Sequence, residues 1–186
     1  RPRFCFWGGV AALGRDPAQL RQIVFHLGNG ASVTAVQAGR SVETSMGLTP
    51  LEGLVMGSRP GDVDPGVLLH LARQAELSLD DLDQLLNRRS GILGLSGHAD
   101  MRDLLAAVDA GDAQAQLAYD VYVHRLRAYA GAYLAQLGGV DVISFTAGVG
   151  ENVPRIRADA LITLGFAGVQ IDERRNSDRG SGIRRI

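Results

Sequence analysis

Residues 23–36, IVFHLGNGASVTAV, decide how this chain reads. An apolar, β-branched run arrives at Gly28-Asn29-Gly30, and a second run, Ser32-Val33-Thr34-Ala35-Val36, leaves it. Glycine and asparagine tolerate the positive φ that strains other residues, so two strands flanking such a tip predict a tight β-hairpin. The tip carries little side chain. Backbone N–H groups in a bare turn make a concavity for an anion, and the hairpin is read as a grip on phosphate.

Composition narrows the partners. The chain has 186 residues, 46% hydrophobic and 21% charged, with a net charge of -1, which fits one soluble globular domain. A nearly neutral chain lacks the basic field that nucleic acid rewards, so no nucleic-acid partner is expected. No uninterrupted apolar run is long enough for a membrane span, and the start, RPRFCFWGG, lacks the features of a secretory signal. Cys5 is the only cysteine, which rules out an intrachain disulfide and makes a cytoplasmic location the expectation. All 19 basic residues are arginine. A Walker-type loop needs a lysine, so any phosphate site here has to work through backbone amides, arginine and a metal ion.

Along the chain, residues 1–9 show no helical or alternating order, and Val10 to Leu13 reads as the end of a helix stopped by Gly14. A chain that opens on a helix end looks cut from something longer. Residues 39–66 are rich in Gly, Pro, Ser and Thr, yet Val42, Met46, Leu48, Leu51, Leu54, Val55 and Met56 give them enough apolar surface to fold. Arg59 stands there between Gly57-Ser58 and Pro60-Gly61. One reading pairs it with Asp62 and Asp64; the other aims its planar fork at phosphoryl oxygens.

From Pro65 the pattern is helical, with Val67, Leu68, Leu71 and Ala75 on one face and His70 beside it as a core histidine. Ser78 caps a second helix carrying Leu82, Leu85 and Leu86, which Gly91 is expected to end. SGILGLSG at 90–97 precedes Asp100, Met101 and Arg102, where Asp100 reads as a helix cap or, alternatively, the segment holds a base or ribose. Residues 112–137 predict a long helix with Tyr119, Val123, Leu126, Ala130, Tyr133 and Leu137 on one stripe, and Asp120 with His124 as a surface pair. DVISFTAGVGEN at 141–152 predicts a buried strand, a glycine loop, and then a helix from Pro154 to about Leu164, together a nucleotide cradle. Residues 166–171 predict a last strand, and the charged tail 174–186 a flexible end.

At this point four motifs become recognisable. HLGNGASV at 26–33, TSMGLTPLEGLVMGSRPGDVDP at 44–65, SGILGLSG with Asp100-Met101-Arg102, and FTAGVGEN at 145–152 together resemble the acetate kinase family, over residues 13–176. The resemblance implies an α/β fold of the ribonuclease H-like, actin-like ATPase kind shared by sugar kinases, Hsp70 and actin, with a mixed sheet and flanking helices. It implies a homodimer that moves a phosphoryl group between ATP and acetate, or ADP and acetyl phosphate, with Mg²⁺. Residues 15–173 are similar to the C-terminal, nucleotide-binding lobe, with 1–14 a poorly matched start and 174–186 the tail.

By the same resemblance His26, Leu27, Gly28, Asn29 and Gly30 match the phosphate loop, and Arg59 the arginine that stabilises the transferring phosphoryl group. Asp100, Met101 and Arg102, with Gly148, Val149, Gly150, Glu151 and Asn152, match the adenosine side. The departures are equally specific. Residues 4–9 read FCFWGG where the family has Phe-His-Gly-Thr-Ser-His, and neither the N-terminal lobe nor the C-terminal Thr-Asn-Glu-Glu segment is in the sequence. The metal ligands of the family are therefore expected outside this chain, and Glu151 is not assigned to that role. The chain reads as a fragment or a truncated product, weak in nucleotide binding and in turnover on its own. A non-catalytic ATP-binding module of the same fold and a propionate or butyrate kinase are the alternatives.

Overall fold

The structure is a computed structural model that describes residues 14–178, 180 and 182–186; the expectations for 1–9 and for the helix end at Val10 to Leu13 fall outside them. The chain divides into two compact units. One takes residues 14–28, Ser32–Ser45 and Val123–Ile186, the other Asn29–Ala31 and Met46–Tyr122.

The first unit is built on a four-stranded sheet of order β3-β2-β1-β4. Its strands are β1 (Arg21–Leu27), β2 (Ala31–Gln37), β3 (Arg40–Thr44) and β4 (Val142–Thr146). Three residues join β1 to its neighbour β2, which is the predicted hairpin. β1 pairs in parallel with β4, in register from Gln22↔Val142 to His26↔Thr146. Ile23, Val24, Phe25 and Leu27 are all buried, the continuous apolar run of a strand covered on both faces. Phe25 stacks on Phe145 with ring centroids 5.2 Å apart. β3 pairs antiparallel with β2 and is exposed along its whole length; Ala35 pairs with Glu43 and Val36 with Ser41, so Val42 of β3 is the extra residue of a bulge that twists this edge.

The parallel pair is pinned at its start by Asp141. Its carboxylate accepts hydrogen bonds from the Arg21 backbone N–H at 2.9 Å, from Arg21 Nε at 3.1 Å and from Arg15 Nη1 at 3.2 Å. Arg21 Nη1 in turn donates to Gly138 O at 2.7 Å, a carbonyl just past the long helix α5 (Ala113–Leu137). Helix end, strand start and strand start are thus tied through one carboxylate.

α5 begins under Asp112, which caps the N–H groups of Gln114 and Ala115. Its expected stripe, Tyr119, Val123, Leu126, Ala130, Tyr133 and Leu137, is buried throughout. Gly138 and Gly139, both at positive φ, stop it. His124 is exposed, while Asp120 accepts a hydrogen bond from Gln116 Nε2 at 2.8 Å.

The second unit carries α1 (Pro65–Gln74), α2 (Leu79–Arg88), α3 (Gly91–Ser96) and α4 (Met101–Asp109). α1 has Asp64 as its cap and Pro65 at its first position, but none of its side chains is fully buried, and His70 is exposed rather than a core histidine. α2 shows the expected Ser78/Asp81 capping box and ends at Arg88; Gly91 opens α3 instead of closing α2.

Three further expectations are corrected in the first unit. Residues 147–152 form a short helix, α6 (Ala147–Asn152), where a glycine loop was expected. α7 (Pro154–Leu161) starts at Pro154 as expected, but it tightens into a 3₁₀ helix at Ile162–Ala167, and residues 166–171 hold no strand. Phe166 is 83% exposed, so the run lacks the burial that a strand reading assumed. In the charged tail, Glu173–Ser177 fold into α8, with Asn176 buried. Among the described residues no helix is long and apolar enough to cross a membrane.

The Asp141 node gives a stability test. Burial raises the pKa of this carboxyl, and the bonds from Arg21 and Arg15 outweigh that and hold it below 3.8. A depressed folded-state pKa means stability that is present above the unfolded value and lost as pH falls through the folded one. Asp141→Ala is expected to cost about 1–3 kcal/mol at pH 7. Thermal unfolding should show the gap to wild type closing below pH 3.8.

Candidate functional site

In the second unit, the segment after Met46 is irregular but firmly held. Gly53 to Met56 lies against Arg59 to Asp62, with Met56 N donating to Arg59 O and Asp62 N to Gly53 O, both at 3.0 Å. Leu54, Val55 and Met56 are buried under this pairing, as their apolar character requires. The Gly57-Ser58 tip seats on α3: Ser90 N donates to Ser58 O, Ile92 N to Met56 O and Leu93 N to Gly57 O. Gly91, at φ +63°, has no room for a side chain, because a Cβ there would overlap Met56 O and lie 2.5 Å from Arg59 O.

Within this unit the seating brings Arg59 to Asn29 and Gly30. Gly57 N donates to Asn29 O at 3.0 Å, and a Cβ on Gly57 would collide with Asn29 Oδ1 and come within 2.9 Å of Ala99 O. Arg59 Nη1 lies 3.8 Å from the position a Cβ on Gly30 would take. Neither Gly28 nor Gly30 is among the positive-φ glycines, so the turn uses their bareness and not their backbone freedom. Asn29 and Gly30 are exposed.

The Arg59 side chain makes one long hydrogen bond, Nη1 to Pro50 O at 3.5 Å, and no ion pair among the described residues. Its neighbouring carboxylates are engaged elsewhere: Asp62 accepts from Gly53 N at 2.8 Å, and Asp64 caps Gly66 N at 2.8 Å. The local pairing considered for this arginine is absent. What remains is a guanidinium fork without a counter-ion among the described residues, beside the bare Gly30.

Asp100 caps α4 through Arg102 N at 2.8 Å. It also accepts both Arg102 Nε at 3.0 Å and Nη2 at 2.8 Å, a bidentate pair whose side-chain hydrogen bonds lower its pKa to about 2. Met101 is buried, and the side chains of Asp100 and Arg102 are exposed.

In the first unit the parallel register puts His26 and Thr146 at the carboxyl ends of β1 and β4, with His26 Nδ1 2.8 Å from Thr146 Oγ1. Ligands of open α/β sheets collect at such ends. Leu27 is buried, while Gly28 leads into the turn. α6 follows Thr146 at once, and its first residue, Ala147, has φ +66°. Glu151 Oε1 accepts from Ala147 N at 3.0 Å and Asn152 Nδ2 donates to Gly148 O at 2.8 Å, so both polar side chains close the helix on itself. Gly150 is buried, Val149 half-buried, and Gly148 has open space where a Cβ would stand.

Two residues that the sequence reading did not single out support this segment. Arg157 and Asn176 are buried and bonded to each other and to the end of α6. The signal for Arg157 was present: α7 buries Ile156, Arg157, Ala160 and Leu161, so the arginine occupies a position on the apolar face.

A model of the acetokinase family matches residues 3–185. The chain belongs to that family. It is 60% identical over 178 residues to the acetate kinase of Leifsonia xyli and 55% identical over 178 residues to that of Gloeobacter violaceus, in each case across 95% of this chain. It spans 45% and 44% of their lengths.

Among solved structures, Porphyromonas gingivalis acetate kinase superposes with a TM-score of 0.93 at 41% identity, over 97% of this chain and 46% of that one. A Francisella tularensis propionate kinase gives 0.89 at 38% identity, over 95% and 45%. The fold is accordingly the α/β, actin-like ATPase fold of these kinases, as the four motifs implied.

The steric argument at α3 is testable with two glycines of similar φ. Gly97, at φ +78°, has nothing within 4 Å of where a Cβ would stand, so Gly97→Ala should cost only the left-handed backbone penalty of about 1–2 kcal/mol. Gly91→Ala adds the overlap with Met56 and Arg59 backbone and is expected to cost clearly more, about 3 kcal/mol or above. Urea unfolding of the two variants side by side checks the difference.

Proposed function

We propose that this chain, over residues 15–173, is the C-terminal, nucleotide-binding lobe of an enzyme that phosphorylates acetate with ATP to give acetyl phosphate and ADP, and runs the reverse. The observation that carries the reading is Arg59, a guanidinium with no ion-pair partner among the described residues, held beside the bare Gly30. A cation so placed is matched by an anionic ligand, and the kinases to which the chain is similar handle phosphate.

In the proposed reaction a carboxylate oxygen of acetate attacks the γ-phosphorus. The bond to the β–γ bridging oxygen breaks and its electron pair leaves with ADP, so no proton has to move. Charge spreads over the three equatorial oxygens on the way, and catalysis is mostly positioning and charge stabilisation. Backbone N–H groups of Gly28, Asn29 and Gly30 are proposed to hold phosphate oxygens, with His26 and Leu27 fixing the strand that delivers the turn. Arg59 is proposed to meet the equatorial charge with its planar fork. The adenosine side is assigned to Asp100, Met101 and Arg102 and, on the sheet unit, to Gly148, Val149, Gly150, Glu151 and Asn152.

Mg²⁺ accompanies the reading, and its chemistry would be to neutralise charge on the β- and γ-phosphates. Such an ion keeps several waters and takes most remaining ligands from phosphate. Among the described residues no three His, Cys, Asp or Glu side chains form a metal cluster, so no residue of this chain is assigned to it. A homodimer in the cytoplasm completes the proposal. Propionate is the alternative acceptor, favoured by the likeness to a propionate kinase; one methylene in an apolar pocket separates the two acids by about 1–3 kcal/mol.

In a preparation that forms acetyl phosphate, trapped as the hydroxamate, Arg59→Ala is expected to lower turnover by about 10³–10⁵. ATP affinity, measured by calorimetry, should change far less. Equal losses in both would remove Arg59 from the transition state.

A further inference from the structure

Arg157 is 2% exposed and forms no ion pair among the described residues. A buried guanidinium without a counter-ion is costly unless its N–H groups are satisfied, and here they are given to neutral oxygens. Nη1 donates to Gly150 O at 2.8 Å and to Glu151 O at 2.9 Å; Nε donates to Asn176 Oδ1 at 2.7 Å and Nη2 to Asn176 O at 2.6 Å. Asn176 completes the brace by donating Nδ2 to Pro154 O at 3.0 Å. Arg184 Nη2 adds a second cationic donor to Glu151 O at 3.1 Å.

The two carbonyls that Arg157 holds belong to the last turn of α6, where helix carbonyls lack intrahelical partners and carry the negative end of the helix dipole. A methionine of similar length would fill the space and leave three of the four acceptors bare, Glu151 O keeping only Arg184, so the guanidinium is there to orient. At the other end of α6, Ala147 sits at φ +66°, a conformation that costs an alanine about 1–2 kcal/mol and persists only where the surroundings enforce it. Ala147 N donates to Glu151 Oε1 at 3.0 Å, and Arg157 holds the backbone carbonyl of that same Glu151. Gly148, the residue left open by this arrangement, faces no side chain or backbone within 4 Å of a Cβ.

We propose that Arg157, braced by Asn176, is a positioning residue that fixes α6 so that residues 148–152 present their backbone to the nucleotide. It touches no ligand itself. The nucleotide half of this inference rests on the proposed function; the fixing of α6 does not.

The test uses Asn176, because Arg157 variants put a bare set of buried carbonyls at risk of misfolding. Asn176→Ala removes the acceptor of Nε and the donor to Pro154, whereas Asn176→Asp loses only the donor, keeps the acceptor that holds Arg157, and should rescue. In the ligand-free chain, hydrogen exchange of amides 148–153 is expected to speed up about tenfold in Asn176→Ala, the loss of roughly one hydrogen bond to a charged group, with exchange across 123–137 unchanged. MgATP binding by calorimetry should weaken by a similar factor, and Asn176→Asp should restore both.

Unchanged exchange at 148–153, or faster exchange spread equally over 123–137, overturns the positioning role. A wild-type chain that binds no MgATP overturns the proposed function and the nucleotide half with it, while the exchange data still decide whether Arg157 fixes α6. Normal MgATP affinity in Asn176→Ala despite faster exchange overturns the nucleotide half alone.

Discussion

The parallel pairing of β1 with β4 is the constraint on which the sheet unit depends. Parallel neighbours cannot be joined by a tight turn, so the chain has to travel far before β4 can return to β1, and long-range partners have to secure the register. Asp141 does this at the strand starts by holding the Arg21 backbone and side chain. Stacking of Phe25 on Phe145 does it in the middle, and the His26–Thr146 hydrogen bond at the end. A slip of one residue would turn every side chain of β4 to the wrong face. With the register held, β1 and β4 both end where the sheet can meet a ligand, one leading into Gly28 and the other into α6.

The other unit solves a different problem, how to hold an irregular segment without a sheet. Its answer is close backbone approach at glycine. Gly57 and Gly91 stand where a side chain would strike Asn29, Met56 or Arg59, and the backbone hydrogen bonds to α3 take up the polar groups that such packing buries. The result is that an exposed-sequence arginine is held on a rigid turn. Such holding suits the proposed phosphoryl transfer, which would draw on placement more than on covalent chemistry.

Much of this was legible in the sequence because it is written in local pattern. The hairpin tip, the buried stripe of α5 and the Pro154 helix start each follow from residue types at fixed spacing. The failures have equally physical causes. AGVGEN reads as a loop because its glycines lower helix propensity, yet Glu151, Asn152 and Arg157 supply the hydrogen bonds that make it a helix. Residues 166–171 look strand-like but find no partner strand. The tail looks wholly flexible by composition, and it is one buried side chain, Asn176, that ties part of it down. His70 lies on a helix that buries nothing, which periodicity alone does not reveal.

The central claim is that the Gly28-Asn29-Gly30 turn and Arg59 form one phosphate grip. The most direct measurement is a ¹⁵N-resolved titration of the chain with MgATP and, separately, with adenosine, following the amides of residues 28–30 and the Nε–H of Arg59. The account predicts that these four signals move together with MgATP and stay in place with adenosine. Signals that stay fixed with MgATP, or move equally with adenosine, would contradict it.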